Sequence, residues 1–353
     1  MPGFGDGTGP PYALGMSTPL RFGILGTARI ATKVAAAVHA CDDATLAGIA
    51  SRDLSRAEAW AARHEANAFG SYDDLLASDD VDAVYVPLPP SMHAEWAVRA
   101  AQAKKHILCE KPLATNAEDA ARIVAVCKEH DVHLMDATMW IHSPRAHDMQ
   151  RHLRSGELGP LRRVTAAVGI DLEGYMRNNP AAPHDPELRV THELGGGALL
   201  DLGWYGVGAA QWAFEDLPTR VFATTRERDG VDMNASAILW YEGDRMASFD
   251  CGFDIARRKW FEIIGTQGSI VCDDYVGPWD LEKQRFWTHD ADMKATEHSS
   301  EPRRQEHCMV ERFCEEVRSG ERNPAWGERA LQTQRILDAL RLSSKEERII
   351  ELT

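Results

Sequence analysis

The sequence predicts an α/β plus α+β architecture: an N-terminal doubly wound parallel sheet, then a C-terminal α+β domain built on a large open, mainly antiparallel sheet. Three observations predict it. From Leu20 to about residue 142, short and almost wholly apolar runs alternate with helical stretches, the rhythm of βαβ units. From 219 to 271, strand-like segments follow one another across short Gly/Asp turns with no helix between them, the rhythm of an antiparallel meander. The length, 353 residues, suffices for two domains that each bury a sizeable core.

Taken in order, 21–25 is the first strand, 28–40 the Ala-rich helix behind it and 44–50 the second strand. Residues 55–64 form a helix, with Ser55 as its cap and Glu58 three residues on, a capping box. The apolar strand 82–86 ends at Pro87-Leu88-Pro89-Pro90; a helix over 93–103 and the strand 106–109 follow. Asn116 caps a helix that runs through His130, and 133–135 is one more strand. Five or six strands, each nearly continuous in apolar residues, indicate a parallel sheet covered on both faces. In the second half, 219–226, 233–241, 245–253, 258–264 and 267–271 make the meander. One helix, about 198–214, precedes it, and helices near 304–319 and 328–342 follow. The expected divisions are an N-terminal arm over 1–19, a dinucleotide-binding domain over 20–142 and a substrate-binding and oligomerisation domain over 143–353.

A content of 44% apolar and 26% charged residues is that of an ordinary globular chain and argues against disorder or a coiled-coil rod. The net charge of −15, with no Lys/Arg block, excludes a nucleic-acid or anionic-membrane footprint. The apolar runs are strand-sized, so no membrane span is expected. Cysteines at 41, 109, 127, 251, 272, 308 and 314 are scattered without a C-x-x-C, which implies free buried thiols in a cytoplasmic protein and no metal site. The first fifteen residues hold eight Gly or Pro and no basic-then-apolar pattern, so they are expected to be a disordered arm rather than a secretory signal. Met16 is an alternative start.

After the first strand, Gly26-Thr27-Ala28-Arg29-Ile30-Ala31 reads G-x-A-x-x-A, one residue away from the dinucleotide fingerprint G-x-G-x-x-G/A. Ala28 adds a methyl at the position of closest approach to the pyrophosphate, but the loop leaves a strand and opens a helix, whose N–H groups favour phosphate. An ordinary βα turn of small residues is the competing reading. At the end of the second strand an acid would bind the ribose 2′-hydroxyl of NAD. Here stand Ser51 and Arg52, with Arg56 one turn on, a hydroxyl and guanidiniums suited to the extra phosphate of NADP.

Lys111, in Glu110-Lys111-Pro112, follows the strand 106–109 at the carboxyl edge of the sheet, where open α/β sheets bind ligands. Beside a proline turn it can serve as a donor or proton carrier, although such a tripeptide is also a common surface turn. Gly195-Gly196-Gly197 opens a helix carrying Asp201 and Tyr205 at i and i+4, a carboxylate and a phenol on one face. Asp201 can orient a substrate hydroxyl and Tyr205 can exchange its proton; a core tyrosine is the alternative. His142 and His192 flank the expected cleft as substrate contacts or structural histidines, and Trp204 and Trp212 are read chiefly as core.

Together, the G-T-A-R-I-A loop, P-L-P-P-S-x-H-A-E-W-A at 87–97, C-E-K-P at 109–112 and G-G-G-A-L-L-D-L-G-x-Y at 195–205 resemble the Gfo/Idh/MocA oxidoreductase family over about residues 20–353. D-x-x-x-Y at 201–205 is similar to the branch of glucose–fructose oxidoreductase, NADP-dependent D-xylose dehydrogenases and dihydrodiol dehydrogenases rather than to inositol dehydrogenases, which carry D-x-x-x-H. The resemblance implies that Gly26, Thr27, Ala28, Arg29 and Ile30 hold the pyrophosphate, and that Ser51 and Arg52 hold the adenosine phosphate. It places Pro87, Leu88, Pro89, Ser91 and His93 along the cofactor and Glu110 and Lys111 near the nicotinamide. Lys111 and Tyr205 are then the catalytic pair, with Asp201 contacting substrate. One departure stands out: xylose-dehydrogenase-like members carry an Arg after the sixth strand where this chain has Ile141.

The expected activity is hydride transfer between NADP, with NAD the poorer fit, and a sugar such as D-xylose or D-glucose, or a related polyol. Rival expectations are a nicotinamide-dependent glycoside hydrolase of the same fold and a non-catalytic NADP-binding regulator. A homodimer or homotetramer through the C-terminal sheet is expected, since a bare open sheet face is an association liability.

Overall fold

A computed structural model describes residues 18–178, 188–320 and 322–352. The arm expected over 1–19 lies, but for its last two residues, outside them. The chain forms two compact units: one comprises the chain up to Met139 together with Arg304–Leu331, the other Trp140–Arg303 together with Gln332–Thr353.

In the first unit β1 (Leu20–Leu25), α1 (Arg29–His39), β2 (Ala44–Ala50), α2 (Leu54–Ala61), β3 (Asn67–Phe69), α3 (Tyr72–Ala77), β4 (Ala83–Val86), α4 (Pro90–Gln102), β5 (His106–Cys109), α5 (Ala117–Glu129) and β6 (Leu134–Asp136) alternate along the chain. The six strands are parallel, in the order β3-β2-β1-β4-β5-β6. That is the Rossmann order, whose switch point between β1 and β4 leaves a crevice at the carboxyl ends of the strands. All four residues of β4 are buried, as a strand covered on both faces requires.

Besides β3 and α3, which the sequence reading lacks, two features of this unit differ from it. The cap of α2 is Asp53, whose carboxylate accepts from the backbone N–H groups of Ser55 (2.9 Å) and Arg56 (3.4 Å). Ser55 is inside the helix and donates its hydroxyl to the same carboxylate at 2.7 Å, so the capping box does not form. An ionised acceptor two residues upstream outcompetes a hydroxyl for these N–H groups. The second difference is the return of helix Gln305–Ser319, where Phe313 sets its ring 5.5 Å from Phe22 and 5.3 Å from His133, and Glu306 lies 3.6 Å from Lys33. An amphipathic helix carries no mark of which of two cores its apolar stripe joins, so a boundary placed once, near residue 142, does not provide for this return.

The second unit holds α6 (Pro144–Ser155), β7 (Leu161–Asp171), α7 (Leu172–Asn178), α8 (Ala198–Asp201), α9 (Gly203–Phe214), β8 (Arg220–Arg228), β9 (Val231–Tyr241), β10 (Arg245–Gly252), β11 (Asp254–Gly265), β12 (Gly268–Cys272), β13 (Arg285–Asp290) and β14 (Ala295–Ser299). After the returning helix, α10 (Gln305–Ser319), come α11 (Ala325–Glu346) and β15 (Ile350–Glu351). The nine-stranded sheet runs β14-β13-β12-β11-β7-β10-β9-β8-β15. Only the β7–β10 pair is parallel. The central strand β7 was not predicted, and the expected helix over 198–214 is two helices that break at Leu202.

On β9 the side chains alternate: Met233, Ala235, Ala237 and Leu239 are buried, while Ile238 and Trp240 are only half-buried. Beneath the sheet Trp140 makes edge-on contacts with Tyr275 (5.1 Å) and Trp212 (5.3 Å), and Trp204 and Trp212 are core residues. The seven cysteines are all buried and none forms a disulfide. Among the described residues no helix is long and apolar enough to cross a membrane, and no cluster of His, Cys, Asp and Glu is suited to a metal ion.

Candidate active site

In the first unit the crevice begins at Gly26, whose φ of +99° is a left-handed conformation that glycine adopts without strain. A Cβ there would lie 2.9 Å from Leu88 and 3.6 Å from the Tyr72 hydroxyl, so the turn admits nothing larger. Its N–H donates to Ala50 O at 2.8 Å, tying the loop to the end of β2. Behind it no side chain caps α1, which leaves the helix N–H groups facing the loop suited to an anion. Thr27, Ala28 and Ile30 are half-buried and Arg29 is exposed.

Basic groups gather at this turn. Arg56 donates to Thr27 Oγ1 at 3.2 Å, and the Arg52 guanidinium is near enough to the Tyr72 phenol to pull its pKa down. Burial pushes the Tyr72 phenol up, against the pull of both guanidiniums. Ser51 is buried and its hydroxyl accepts from Asp53 N at 3.3 Å, while Arg52 and Arg56 are exposed. Tyr72, from the unpredicted α3, is a member of this cradle that sequence reasoning missed. Only the fold of β2–β3 brings it back to residues 26–27.

At the end of β5, Glu110 N–H donates to Val86 O at 3.1 Å, extending the ladder one residue past the strand. The Glu110 carboxylate accepts from the Tyr85 hydroxyl (2.6 Å) and from the Lys111 backbone N–H (3.2 Å). Lys111 is half-buried, and the Lys111-Pro112 peptide is cis. His93 is fully buried, with Nδ1 2.9 Å from Pro112 O and Nε2 2.7 Å from Leu88 O. It joins the turn after β5 to the loop after β4, and burial lowers its pKa. The resemblance sets His93 along the cofactor, and here its ring nitrogens lie against backbone carbonyls on the two loops it joins. Pro87 and Leu88 are buried, Pro89 is half-buried and Ser91 is exposed in the first turn of α4.

In the second unit, Asp201 ends α8 with Arg189 Nε 3.6 Å from its carboxylate. Tyr205 lies in the first turn of α9, half-buried, its N–H donating to Leu202 O at 3.1 Å. Close by, Tyr275 is fully buried, and burial, then Tyr205, push its phenol well above the usual range. His142 is buried at the end of the 3-10 turn Met139–His142, and His192 is exposed. Gly197 has φ +132°, and a side chain there would run into the Asp232 carboxylate, which accepts from Leu199 N–H at 2.6 Å. Burial raises the Asp232 carboxyl to about 6. A cavity of about 360 Å³ is lined by Leu172, Met176, Val190 and Met233 together with Glu173, Arg177 and Arg228.

Thus the structure assembles the 26–30 loop with Arg52 and Arg56, and Glu110 with Lys111, in one unit; Asp201, Tyr205 and His142 belong to the other. Arg189, Asp232, Tyr85 and Tyr72 escaped the sequence reading. Their partners lie 12 to 46 residues away, and no local pattern marks such pairs.

Comparison with known proteins gives consistent findings. Residues 20–138 match the Gfo/Idh/MocA family described as "Oxidoreductase family, NAD-binding Rossmann fold", and residues 146–271 match the "GFO/IDH/MocA C-terminal domain". A "dTDP-3,4-didehydro-2,6-dideoxy-alpha-D-glucose 3-reductase" of Saccharopolyspora spinosa is 40% identical over 267 residues, 74% of this chain and 77% of that protein. A "D-xylose 1-dehydrogenase (NADP(+)) 2" of Haloferax volcanii is 33% identical over 94% of this chain and 100% of its own. Among solved structures, KijD10, a 3-ketoreductase from Actinomadura kijaniata in complex with NADP and TDP-benzene, superposes with a TM-score of 0.83. It is 31% identical and covers 92% of this chain and 98% of its own.

Proposed function

The chain belongs to the Gfo/Idh/MocA oxidoreductase family, and on that premise we propose that it transfers a hydride between NADP and a carbinol or carbonyl carbon of a sugar, with Tyr205 as the proton carrier. In coarser terms it is an NAD(P)-dependent oxidoreductase of sugar-like substrates. The observation that carries the choice of NADP is the end of β2. The first acid there, Asp53, is engaged as the cap of α2, while Arg52 and Arg56 stand at the Gly26–Thr27 turn. A 2′-phosphate suits two guanidiniums; a ribose hydroxyl would call for a carboxylate.

NADP, when bound, supplies or accepts the hydride. Gly26, Thr27, Ala28, Arg29 and Ile30 would hold its pyrophosphate, and Ser51, Arg52 and Arg56 its adenosine phosphate. Pro87, Leu88, Pro89, Ser91, His93 and Glu110 would shape the rest of its groove. Tyr205 takes the proton of the substrate hydroxyl during oxidation and returns it during reduction. The Lys111 ammonium stabilises the charge that develops on the substrate oxygen. Asp201 and His142 orient the substrate's other hydroxyls.

The test is absorbance at 340 nm with D-xylose and D-glucose, NADP and NAD in parallel. Reduction of NADP in preference to NAD is expected; failure to bind NADPH and to turn over any sugar overturns the proposal. A second reading, reduction of a keto sugar carried on a nucleotide, is favoured by the reductase from S. spinosa and by Ile141 in place of the arginine of xylose dehydrogenases. NADPH oxidation by a dTDP-linked 3-keto sugar, with none of the aldoses active, would select it. Self-association through the nine-stranded sheet is proposed as well, because Ile238, Trp240, Met246 and Trp260 are left half-buried.

A further inference from the structure

We infer that Tyr85 is a positioning residue for Lys111, acting through the Glu110 carboxylate. This rests on the role given to Lys111 above. Tyr85 pairs with Leu108 in the β4–β5 register, and Glu110 lies two residues beyond Leu108. Their side chains therefore leave the same face of the sheet and meet diagonally. The hydroxyl donates to Glu110 Oε1 at 2.6 Å, and Oε2 accepts the Lys111 backbone N–H at 3.2 Å. One carboxylate thus has an oxygen fixed by the sheet and an oxygen fixing the turn.

Three facts single this contact out from ordinary packing. The tyrosine is fully buried in one of the two middle strands of its sheet, a place that apolar residues fill at lower desolvation cost; Ala83, Val84 and Val86 fill the rest of the strand. Its phenol stays a donor, because burial and the Glu110 carboxylate both oppose its ionisation. A neutral hydroxyl on a carboxylate is a charge-assisted bond, about twice as strong as one between neutral groups. Without that hydroxyl the Glu110 side chain regains rotamers, and the Lys111 backbone loses a fixed acceptor. Tyr85 has no exposed surface, so it acts on the reaction without reaching substrate.

The test uses Tyr85→Phe, which removes one oxygen and keeps the ring, in the full chain. Hydrogen exchange of the Lys111 amide, which needs no substrate, should quicken about tenfold, the worth of one hydrogen bond, while β4 and β5 amides hold. With D-xylose and NADP, kcat should fall about tenfold with the NADPH dissociation constant within twofold of wild type. In a Glu110→Ala background, which leaves the phenol no acceptor at this position, the same change should have no further effect. Unchanged Lys111 exchange, or exchange that rises evenly across both strands, overturns the inference. Additive losses in the double variant overturn it too. Absent turnover in the wild type counts against the proposed function alone, since the exchange measurement still decides the role of Tyr85.

Discussion

In the proposed reaction the phenol of Tyr205 and the ammonium of Lys111 would have different duties, yet removing either should strike the chemical step. Tyr205→Phe and Lys111→Met are each expected to lower kcat at least about a hundredfold with NADPH binding retained, as measured by steady-state kinetics and fluorescence titration. The arginines should show the opposite split. Arg52→Ala and Arg56→Ala are expected to raise KM for NADP about tenfold each and leave NAD unaffected, because each removes a charge-assisted contact that NAD does not make. Asp232 offers a test by pH. Its carboxyl stands at about 6 in the folded chain against an ordinary 3.8, so protonation favours folding. Stability from this group is greatest below about pH 4 and declines as pH rises through 6. Asp232→Asn keeps an acceptor for Leu199 N–H and removes the charge. It should raise the urea midpoint at pH 8, an effect of roughly 3 kcal/mol at most, and leave it unchanged at pH 4.

At the scale of elements, the docking of α10 is the feature most exposed to acid. His133 lies under Phe313 and 3.3 Å from Glu316, which also accepts from Trp326 (2.7 Å) and Arg312 (2.6 Å). Burial lowers His133 to about 3 and His106 to about 4, and His106 Nδ1 accepts the His133 backbone N–H at 3.0 Å. Both rings are therefore neutral in the folded chain. Their contribution is intact above about pH 6.5 and is lost as pH falls through 4 and then 3. Glu316, raised by burial, offsets part of that loss. His133→Gln should flatten the fall in urea midpoint between pH 7.5 and 4.5. What was legible beforehand follows from the same physics. The six parallel strands and the meander declare themselves through local periodicity, and Asn116 through its place before an amphipathic run. Strand β7 did not, because Arg162 and Arg163 interrupt its apolar pattern before Val164 and the strand precedes its neighbours in the sheet by some eighty residues. The cradle showed the same division: Gly26, Arg52 and Arg56 were visible as a motif and a strand end, whereas Tyr72 and Tyr85 matter through contacts that exist only once the sheet has closed.

For the whole molecule, the nine-stranded sheet predicts association. Arg220 lies over the Trp240 ring at 4.9 Å and Trp260 is half-buried, so the face mixes cation–π pairs with apolar surface. Sedimentation at micromolar concentration should show a dimer or tetramer, and Trp240→Glu should shift it to monomer while the fold's circular dichroism is kept. A persistent monomer in the wild type would remove this proposal. The unit that holds the six-stranded sheet is completed by a distant stretch of chain, and this carries a temporal consequence. During translation the six strands can pair long before residue 313 leaves the ribosome, and until then Phe22 has no ring to lie against. Nascent polypeptides paused short of that point should therefore bind chaperones or a hydrophobic dye, and cease to do so once the distant segment has emerged.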